Sequence, residues 1–243
     1  LMDMFLCTDG LPVEISDKFQ GYSSPEKEFI DRDNRMKSDT DMDAQTATAK
    51  ILNSGNAGYG NMKFKCPERG TAGEESPDYP VLRLAEVYLI YAEAVCERNN
   101  GVVTDEQLNY SINNLRGRAG IANLTNALVE TIKEKTGTSK SLGEVMLDEI
   151  RRERAVELYM EGFRFDDLKR WGIAETSLNQ SRLGTVVGQA TYPTTFVDPS
   201  GNTTDKYAKN TYVYGEEKVT TQWGELNCVV VDSKENFTFD RSH

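Results

Sequence analysis

The sequence has almost no histidine, because the single one, His243, is the last residue. A histidine-ligated zinc site and a Ser-His-Asp triad both need imidazole inside the fold, so this absence argues against both kinds of catalytic centre. A cysteine nucleophile would lack its histidine partner for the same reason. The four cysteines lie far apart without a CxxC pair and form no zinc or redox motif. We expect buried thiols rather than two disulfides.

Positive charge and long apolar runs are also scarce. The chain carries 28 Lys and Arg against 39 Asp and Glu, a formal charge of −11. Because phosphate backbones attract clustered Lys and Arg, this balance argues against nucleic acid as a partner and favours neutral or basic ligands. The longest apolar run, Val87–Ala92, has six residues, whereas a membrane-spanning helix needs about 20. No basic and then apolar segment opens the sequence, so no signal peptide is predicted.

The first part of the chain, 1–78, is weakly periodic and rich in turn signals. Two short strand-like runs, Met2–Cys7 and Tyr59–Cys66, lie among Gly, Asn, Ser and Asp. An Asp-x-Asp-x-Asp pattern over 39–43 resembles the start of a calcium loop, but Ala44 stands where that loop needs Gly. We therefore predict a solvated loop there, with a bound calcium ion as the alternative. No metal site and no cofactor are predicted for the chain.

The middle of the chain, 79–172, is predicted to be helical. Capping boxes at Thr104 and Ser141 indicate where two helices begin. Apolar residues occupy two faces of the first helix, which predicts a core helix between neighbours. Together with the apolar periodicity these signals place helices at 81–97, 105–119, 142–161 and 164–171. The tail, 173–243, is rich in loops, with short strands expected at 212–214 and 229–231.

A row of carboxylates is the densest charge pattern of the sequence. Glu153, Glu157 and Glu161 recur every four residues and therefore stack along one helix face. The acid–base pair of a glycoside hydrolase is one interpretation, but two acids one turn apart cannot easily stand on opposite sides of a sugar bond. We favour a partly buried ion network that includes Arg154, because like charges in a row repel unless cations enter. Further cations at hand are Arg116, Arg118, Arg164 and Arg170.

Aromatic residues in polar, turn-rich segments are candidates for sugar binding, because an exposed ring stacks on the apolar face of a sugar. For each of them the alternative is a ring that caps the edge of the core. Trp171 is better explained by core packing beneath its short helix. The candidates are Tyr22, Tyr59, Tyr207, Tyr212, Tyr214 and Trp223.

Several segments in combination resemble the SusD/RagB family of outer-membrane lipoproteins. They are Phe5–Pro12, Arg32–Arg35, Tyr79–Leu89, Ile112–Ile121 and Glu149–Gly172. The family more often has Pro where Asn34 stands. The resemblance implies a mainly α fold of tetratricopeptide-like helical hairpins, with long irregular loops and a few short β-strands. It also implies that residues 1–243 are the C-terminal portion of a SusD-like domain, without the N-terminal helical repeats and the lipid anchor.

The resemblance also implies a function. Such a protein is non-catalytic, lies on the extracellular face of the outer membrane and reaches the membrane through a lipid anchor alone. It binds an oligosaccharide or other glycan and delivers it to a SusC-like TonB-dependent transporter, which its helical repeats face. Because the family's sugar-binding loops tend to precede the recognised helices, we select Tyr22 and Tyr59, together with Trp223, as carbohydrate-binding residues.

Two other functions remain open, because the recognised motifs carry the fold rather than a binding site. The first alternative is a helical-repeat scaffold for protein interaction, which predicts an exposed apolar groove. The second alternative is a glycoside hydrolase, which predicts two acids on separate loops of one cleft and a raised pKa for at least one of them.

Overall fold

The structure is a computed structural model that describes residues 2–39, 59, 61, 63–64, 80–186, 195–197, 200–205, 216–222 and 224–232. The chain divides into two compact units. Unit 1 comprises Leu1–Phe19, Asp31–Asp39 and Met62–Gly162, and unit 2 comprises Gln20–Ile30, Thr40–Asn61 and Phe163–His243. In the part of the chain that is described, no helix has both the length and the apolar character needed to cross a bilayer.

The described residues are mainly helical, which confirms the predicted fold class. A 3-10 helix over Met2–Met4 comes first. The α-helices are α1 (Pro25–Phe29), α2 (Asn34–Asp39), α3 (Leu84–Arg98), α4 (Asp105–Tyr110), α5 (Ile112–Ala119), α6 (Asn126–Thr136), α7 (Leu142–Glu157), α8 (Arg164–Arg170) and α9 (Ala174–Leu178). The strands are β1 (Arg182–Val186), β2 (Thr195–Val197), β3 (Thr203–Asp205), β4 (Glu216–Thr221) and β5 (Gly224–Asp232).

Both predicted capping boxes are present at the starts of α4 and α7. The backbone N–H of Gln107 donates to the hydroxyl of Thr104 at 3.2 Å, and the Gln107 side chain accepts from the Thr104 N–H at 2.9 Å. Ser141 and Glu144 make the same reciprocal pair. Gly120 adopts the left-handed conformation (φ 71°) that ends α5.

The predicted helix over 105–119 is broken at Ser111. There the backbone leaves the helical region (φ −127°, ψ −99°), so α4 and α5 are separate helices. The hydroxyl of Ser111 donates to the carbonyl oxygen of Gln107 at 2.7 Å. Short polar side chains compete in this way with the hydrogen bonds of a helix backbone, and apolar periodicity does not report that competition.

The helix predicted to run to residue 161 ends at Glu157 instead. The carbonyl oxygen of Glu157 accepts from the Lys63 ammonium at 2.9 Å and from Nη2 of Arg83 at 2.7 Å. The N–H of Glu161, which would reach that carbonyl in a continued helix, donates to Leu158 at 3.1 Å. Cations therefore end α7 by occupying its last carbonyl, where the helix dipole also favours them.

The predicted strand over Met2–Cys7 is wrong. Met2–Met4 is a 3-10 helix, and Cys7 forms an isolated antiparallel bridge with Arg32. The guanidinium of Arg32 donates to the carbonyl oxygens of Met2 at 2.7 Å and Phe5 at 3.0 Å. A buried side chain therefore satisfies backbone groups that a strand would have paired with a neighbour.

Some helices have no counterpart in the sequence prediction, and some predictions cannot be compared with the structure. The helices that were not predicted are α1, α2, α6 and α9. The Asp pattern over 39–43, the strand-like run over 59–66 and the expected strand over 212–214 lie wholly or mostly outside the described residues. The strand expected at 229–231 is confirmed as part of β5.

The core of unit 1 lies between α3, α5, α6 and α7. Helix α3 buries its face of mostly small residues, including Ala85, Leu89 and Ala92. Its second apolar face, with Leu84 and Val87, is exposed in the described structure. The prediction that α3 is enclosed on both sides is therefore wrong for these residues, because periodicity shows that a face is apolar but not that a neighbour covers it.

Unit 2 contains α1, α8, α9 and two small antiparallel sheets. One sheet has the strand order β1-β5-β4, and the other pairs β2 with β3. The side chains of β4 alternate between exposed and half-buried positions, which is the period of a strand with one covered face.

Two of the four cysteines are buried free thiols, namely Cys7 and Cys96 of unit 1. Burial raises the pKa of both thiols, that of Cys96 to about 11. This agrees with the expectation of buried thiols for these two residues, while Cys66 lies outside the described residues.

Candidate functional site

The predicted row of carboxylates lies in the interior of unit 1. Glu153 and Glu157 project from α7, Glu161 follows in the turn after it, and Glu149 extends the row one turn earlier. All four side chains are 1–2% exposed. Carboxylates this deeply buried stay ionised only when cations and hydrogen-bond donors surround them. The row therefore requires positively charged partners from other parts of the fold.

Arginines from α2 and α5 supply the partners of the first half of the row. Nη1 of Arg35 lies 2.6 Å from Glu153 and 2.8 Å from Glu157, and its other nitrogens bond Asp33. Nε of the fully buried Arg116 lies 3.1 Å from Glu153. The prediction of an ion network that contains Glu153 and Glu157 is confirmed. Arg154, the cation assigned to it from sequence, is buried, and its membership of the network stays a prediction.

The second half of the row is bound by three further cations. Arg83, just before α3, forms a fork on Glu161 with Nε and Nη2 at 2.7 and 2.6 Å, while its Nη1 lies 2.5 Å from Glu157. The Lys63 ammonium lies 2.7 Å from Glu161. Nη2 of Arg118, on α5, reaches both oxygens of Glu157 at 2.5 and 2.6 Å.

These contacts decide the protonation of Glu157 and Glu161. Burial raises the pKa of Glu157, but the charge of Arg35 and hydrogen bonds from Arg83, Arg35 and Arg118 outweigh it and lower that pKa to about 2. Burial likewise opposes the hydrogen bonds of Arg83 and Lys63 at Glu161, and the net effect lowers the pKa of Glu161. A general acid of a glycoside hydrolase needs the opposite shift. Glu157 and Glu161 are therefore suited to holding the helices together and not to protonating a leaving group.

A cavity of about 380 Å³ opens beside the second half of the row. Its charged lining residues are Arg35, Lys63, Arg83, Arg118, Glu157 and Glu161. Its other described lining residues are Asn34, Ser38, Phe64 and Pro80. The combination of planar polar side chains and one aromatic ring is typical of small-molecule sites, in which a few polar groups orient the ligand beside an apolar surface. Sequence reasoning did not predict this cavity.

The described structure contains two of the three rings selected from sequence. Tyr22 and Tyr59 belong to unit 2 and are both half-buried. The hydroxyl of Tyr59 donates at 2.5 Å to the carboxylate of Glu28 on α1, which is itself buried. Trp223 lies outside the described residues. The carbohydrate-binding role of these three residues stays a prediction.

Trp171 is half-buried rather than fully enclosed. The guanidinium groups of Arg170 and Arg164 lie over its ring at 4.8 and 5.7 Å from the centroid. Nε of Arg170 also bonds Asp167 at 2.8 Å. Two of the cations proposed from sequence for the carboxylate row thus stack on the tryptophan that directly follows α8.

Comparison with known proteins gives the family. Helices held together by buried ion pairs in unit 1, and short antiparallel sheets in unit 2, define a mainly α protein. A sequence model of the SusD family matches residues 37–215, so the chain belongs to the SusD family, and the resemblance seen in the sequence is confirmed.

Two individual proteins show the extent of the similarity. A SusD-like protein from Bacteroides ovatus is 37% identical over 91 residues, which are 37% of this chain and 13% of that protein. The crystal structure of a SusD-like protein from Bacteroides fragilis NCTC 9343 shares the fold with a TM-score of 0.56 and 19% identity, over 98% of this chain and 41% of that one. The chain therefore spans less than half the length of either protein.

Sequence reasoning missed three of the cations that bind the row. Arg35 and Lys63 are far from α7 in sequence, and Arg83 lies 74 residues before Glu157. The repulsion of several carboxylates in one row was the available signal, since it requires cations from elsewhere. That signal indicates how many partners are needed and that their charge is positive, but not where they lie in the chain.

Proposed function

We propose that this protein binds oligosaccharides on the extracellular face of the outer membrane and passes them, uncleaved, to a SusC-like TonB-dependent transporter. Membership of the SusD family is the observation that carries the proposal. Because the matches cover 13% and 41% of the two known proteins, the ligand, the lipid anchor and the transporter are proposed for this chain and not taken over from them.

The geometry around Tyr59 supports a sugar-binding role for that residue. Its hydroxyl is fixed by the buried carboxylate of Glu28, while the ring remains partly accessible. A ring held in one orientation loses little conformational freedom when a sugar stacks on it, so more of the contact energy appears as affinity. We propose that Tyr22 and Trp223 contribute further rings to the same ligand.

The absence of cleavage is proposed from the protonation of two carboxylates of the buried row. Glu157 and Glu161 have lowered pKa values and are bound by cations, whereas hydrolysis of a glycosidic bond requires one carboxylic acid that is protonated near neutral pH. We therefore expect oligosaccharides incubated with the protein to be recovered intact, which chromatography of the incubated sugar checks.

A glycan array followed by calorimetry tests the binding proposal. We expect a neutral oligosaccharide to bind the wild type, and Tyr59→Ala and Trp223→Ala each to weaken binding roughly threefold to tenfold, because an aromatic contact contributes ~0.5–1.5 kcal/mol. Tyr59→Phe keeps the ring and should retain most of the affinity. The matched control is Tyr110→Ala, which removes an exposed tyrosine from α4 in unit 1. Undiminished binding after loss of all three selected rings would show that the site lies elsewhere.

A second candidate function, a protein-interaction surface, is favoured by the outer face of α3. Leu84, Val87 and Tyr91 recur at i, i+3 and i+7, and all three are exposed. Single exposed apolar residues are ordinary, but a row along one helix is typical of an interface. We propose the SusC-like transporter as the protein that covers this row.

Charge substitution on α3 tests this second proposal. We expect Leu84→Glu combined with Val87→Glu to reduce co-purification with the transporter while oligosaccharide binding is unchanged. Unreduced co-purification would show that the row does not contact the transporter.

A further inference from the structure

The cavity in unit 1 has a local charge that the composition of the chain does not predict. Its described lining holds four cations and two carboxylates. Behind this lining, Asp33 and Glu153 pair with Arg35, and Arg116 pairs with Glu153 and with Glu149. Together these groups number five cations and five carboxylates, so the excess of cations belongs to the lining and not to the whole network. In a chain with a net charge of −11, a cavity whose own lining holds more cations than carboxylates is suited to an anionic group.

Arg118 is the cation that has hydrogen-bond donors available. Its side chain is 58% exposed, and Nη2 makes its bonds to Glu157. Within the described residues, Nε and Nη1 of Arg118 have no partner. A guanidinium carries five N–H donors in a planar arrangement, so Arg118 can hold Glu157 and bond a ligand at the same time.

The two carboxylates of the lining do not repel an anion strongly, because cations already neutralise them. Glu157 accepts from Arg35, Arg83 and Arg118, and Glu161 accepts from Arg83 and Lys63. The oxygens of Glu157 have little capacity left for sugar hydroxyls. Arg118 is the most exposed of the four lining cations, at 58% against 9–24% for the other three.

Phe64 gives the cavity an aromatic surface. Its ring is half-buried, and the Lys63 ammonium lies 6.0 Å from its centroid. The backbone of Phe64 is left-handed (φ 68°), a conformation that is rare for bulky residues and that concentrates at functional sites. The conformation is therefore consistent with a ring held at this position for contact with a ligand.

Asn34 adds a neutral polar group to the lining. Its side-chain amide lies so close to Gly120 that a Cβ at residue 120 would meet Nδ2 at 2.5 Å. Gly120 thus leaves the space that the amide occupies. An amide both donates and accepts, which suits it to a sugar hydroxyl.

Resting on the proposed function, we propose that this cavity binds a carboxylate-bearing sugar, a hexuronic acid unit of an acidic oligosaccharide. The carboxylate accepts from Nε and Nη1 of Arg118, the amide of Asn34 bonds the ring hydroxyls, and the apolar face of the sugar stacks on Phe64. The volume of about 380 Å³ lies at the lower end of the ~300–1,000 Å³ range of small-molecule sites, which suits one sugar unit.

NMR titration of the protein with methyl glucuronoside and with methyl glucoside tests the proposal, because the two sugars differ in the carboxylate. We expect the wild type to prefer the glucuronoside at least tenfold, the ratio that ~1.4 kcal/mol represents. Arg118→Gln should abolish this preference. The matched control is Arg98→Gln, which removes an exposed arginine at the end of α3 and should leave the preference unchanged.

A second variant keeps the test decisive if Arg118→Gln lowers the melting temperature. Phe64→Leu removes the ring but leaves Arg118 in place, so we expect it to weaken the binding of both sugars to a similar extent. Equal affinity of the wild type for the two sugars would overturn the proposal, and so would a preference that survives Arg118→Gln. Sulfate binding as tightly as the glucuronoside would show a simple anion site and would overturn it as well.

The experiment also separates this proposal from the wider function. In one outcome, a neutral oligosaccharide binds through Tyr59 and Trp223, its binding is insensitive to Arg118→Gln, and the protein shows no preference for the glucuronoside. This outcome would overturn the acidic-sugar site alone. In the opposite outcome, glucuronoside binding survives Tyr59→Ala and no other oligosaccharide binds through Tyr59. This outcome would support sugar binding in the cavity and contradict the proposed role of the loop rings.

Discussion

Glu157→Gln is the substitution that tests most directly whether the buried row stabilises unit 1. Glu157 is 2% exposed and lies within 2.8 Å of Arg35, Arg83 and Arg118. Glutamine has nearly the same shape, so the substitution removes the charge and one acceptor without creating a cavity. The three guanidinium groups then lose the carboxylate that holds them together.

The size of the stability loss depends on how well water replaces the lost carboxylate at each of the three cations. Arg118 is 58% exposed, so water replaces most of its interaction and its loss contributes only ~0–1 kcal/mol. Arg35 is buried and Arg83 is 24% exposed, so the lost carboxylate is poorly replaced there. Removing one member of a buried pair costs about 3–5 kcal/mol, and for a domain of this size that corresponds to a melting temperature lowered by roughly 6–20 °C.

Urea denaturation and thermal melting at pH 7 measure the effect. Urea is preferred to guanidinium chloride because the salt would screen the charges in question. Glu134→Gln is the matched control, since Glu134 is exposed on α6, and we expect its melting temperature to stay within about 1 °C of the wild type. A melting temperature lowered by less than about 2 °C in Glu157→Gln would refute the reasoning.

The pH dependence of stability gives an independent test of the same residue. The pKa of Glu157 is lowered from its usual 4.5 to about 2 in the folded protein. A depressed carboxyl pKa stabilises the fold fully above about pH 4.5, and this contribution of ~3 kcal/mol is lost as the pH falls through about 2. The free energy of unfolding should therefore fall less between pH 5 and pH 2 in Glu157→Gln than in the wild type. Parallel pH profiles would contradict the assignment.

Two further predictions concern the backbone of unit 1. Gly101→Ala should lower the free energy of unfolding by about 2–3 kcal/mol, because a Cβ there would overlap the backbone of Gly143 and residue 101 has a φ of 89°. The matched variant is Gly117→Ala, whose Cβ would have nothing within 4 Å, and it should raise the free energy of unfolding by about 0.5–1 kcal/mol. Urea denaturation that changed the stability of both variants in the same direction would contradict this prediction. Ser141→Ala should lower it by ~1 kcal/mol, because the hydroxyl caps α7 by accepting from the N–H of Glu144, and an unchanged urea midpoint would show that this cap adds no stability.

Much of the helical scaffold could be predicted from the sequence because its signals are local. The boxes at Thr104 and Ser141 and the left-handed Gly120 concern atoms within a few residues of each other. Hydrogen bonds of this kind form wherever the chain folds into a helix, so composition and spacing suffice to locate them. The family resemblance also rests on short local segments, and the match over 37–215 confirms the family.

The carbohydrate site was less accessible to prediction, since its residue types are common and their positions follow no spacing. Tyr22 and Tyr59 were selected as rings in polar segments, and nothing in that pattern indicates the bond from Tyr59 to Glu28. The cavity beside Phe64 has no local sequence signal, because its lining comes from separate parts of the chain.

By itself the sequence determined that α7 carries a row of acids that must be neutralised, and that α3 has two apolar faces. The tertiary structure decided that Arg35, Lys63 and Arg83 neutralise the row, and that one face of α3 is buried while the face with Leu84 is exposed in the described structure. The physical reason is the range of the interactions. Periodicity and capping act within one helix, whereas ion pairing and burial depend on which distant segments the fold brings within a few ångströms.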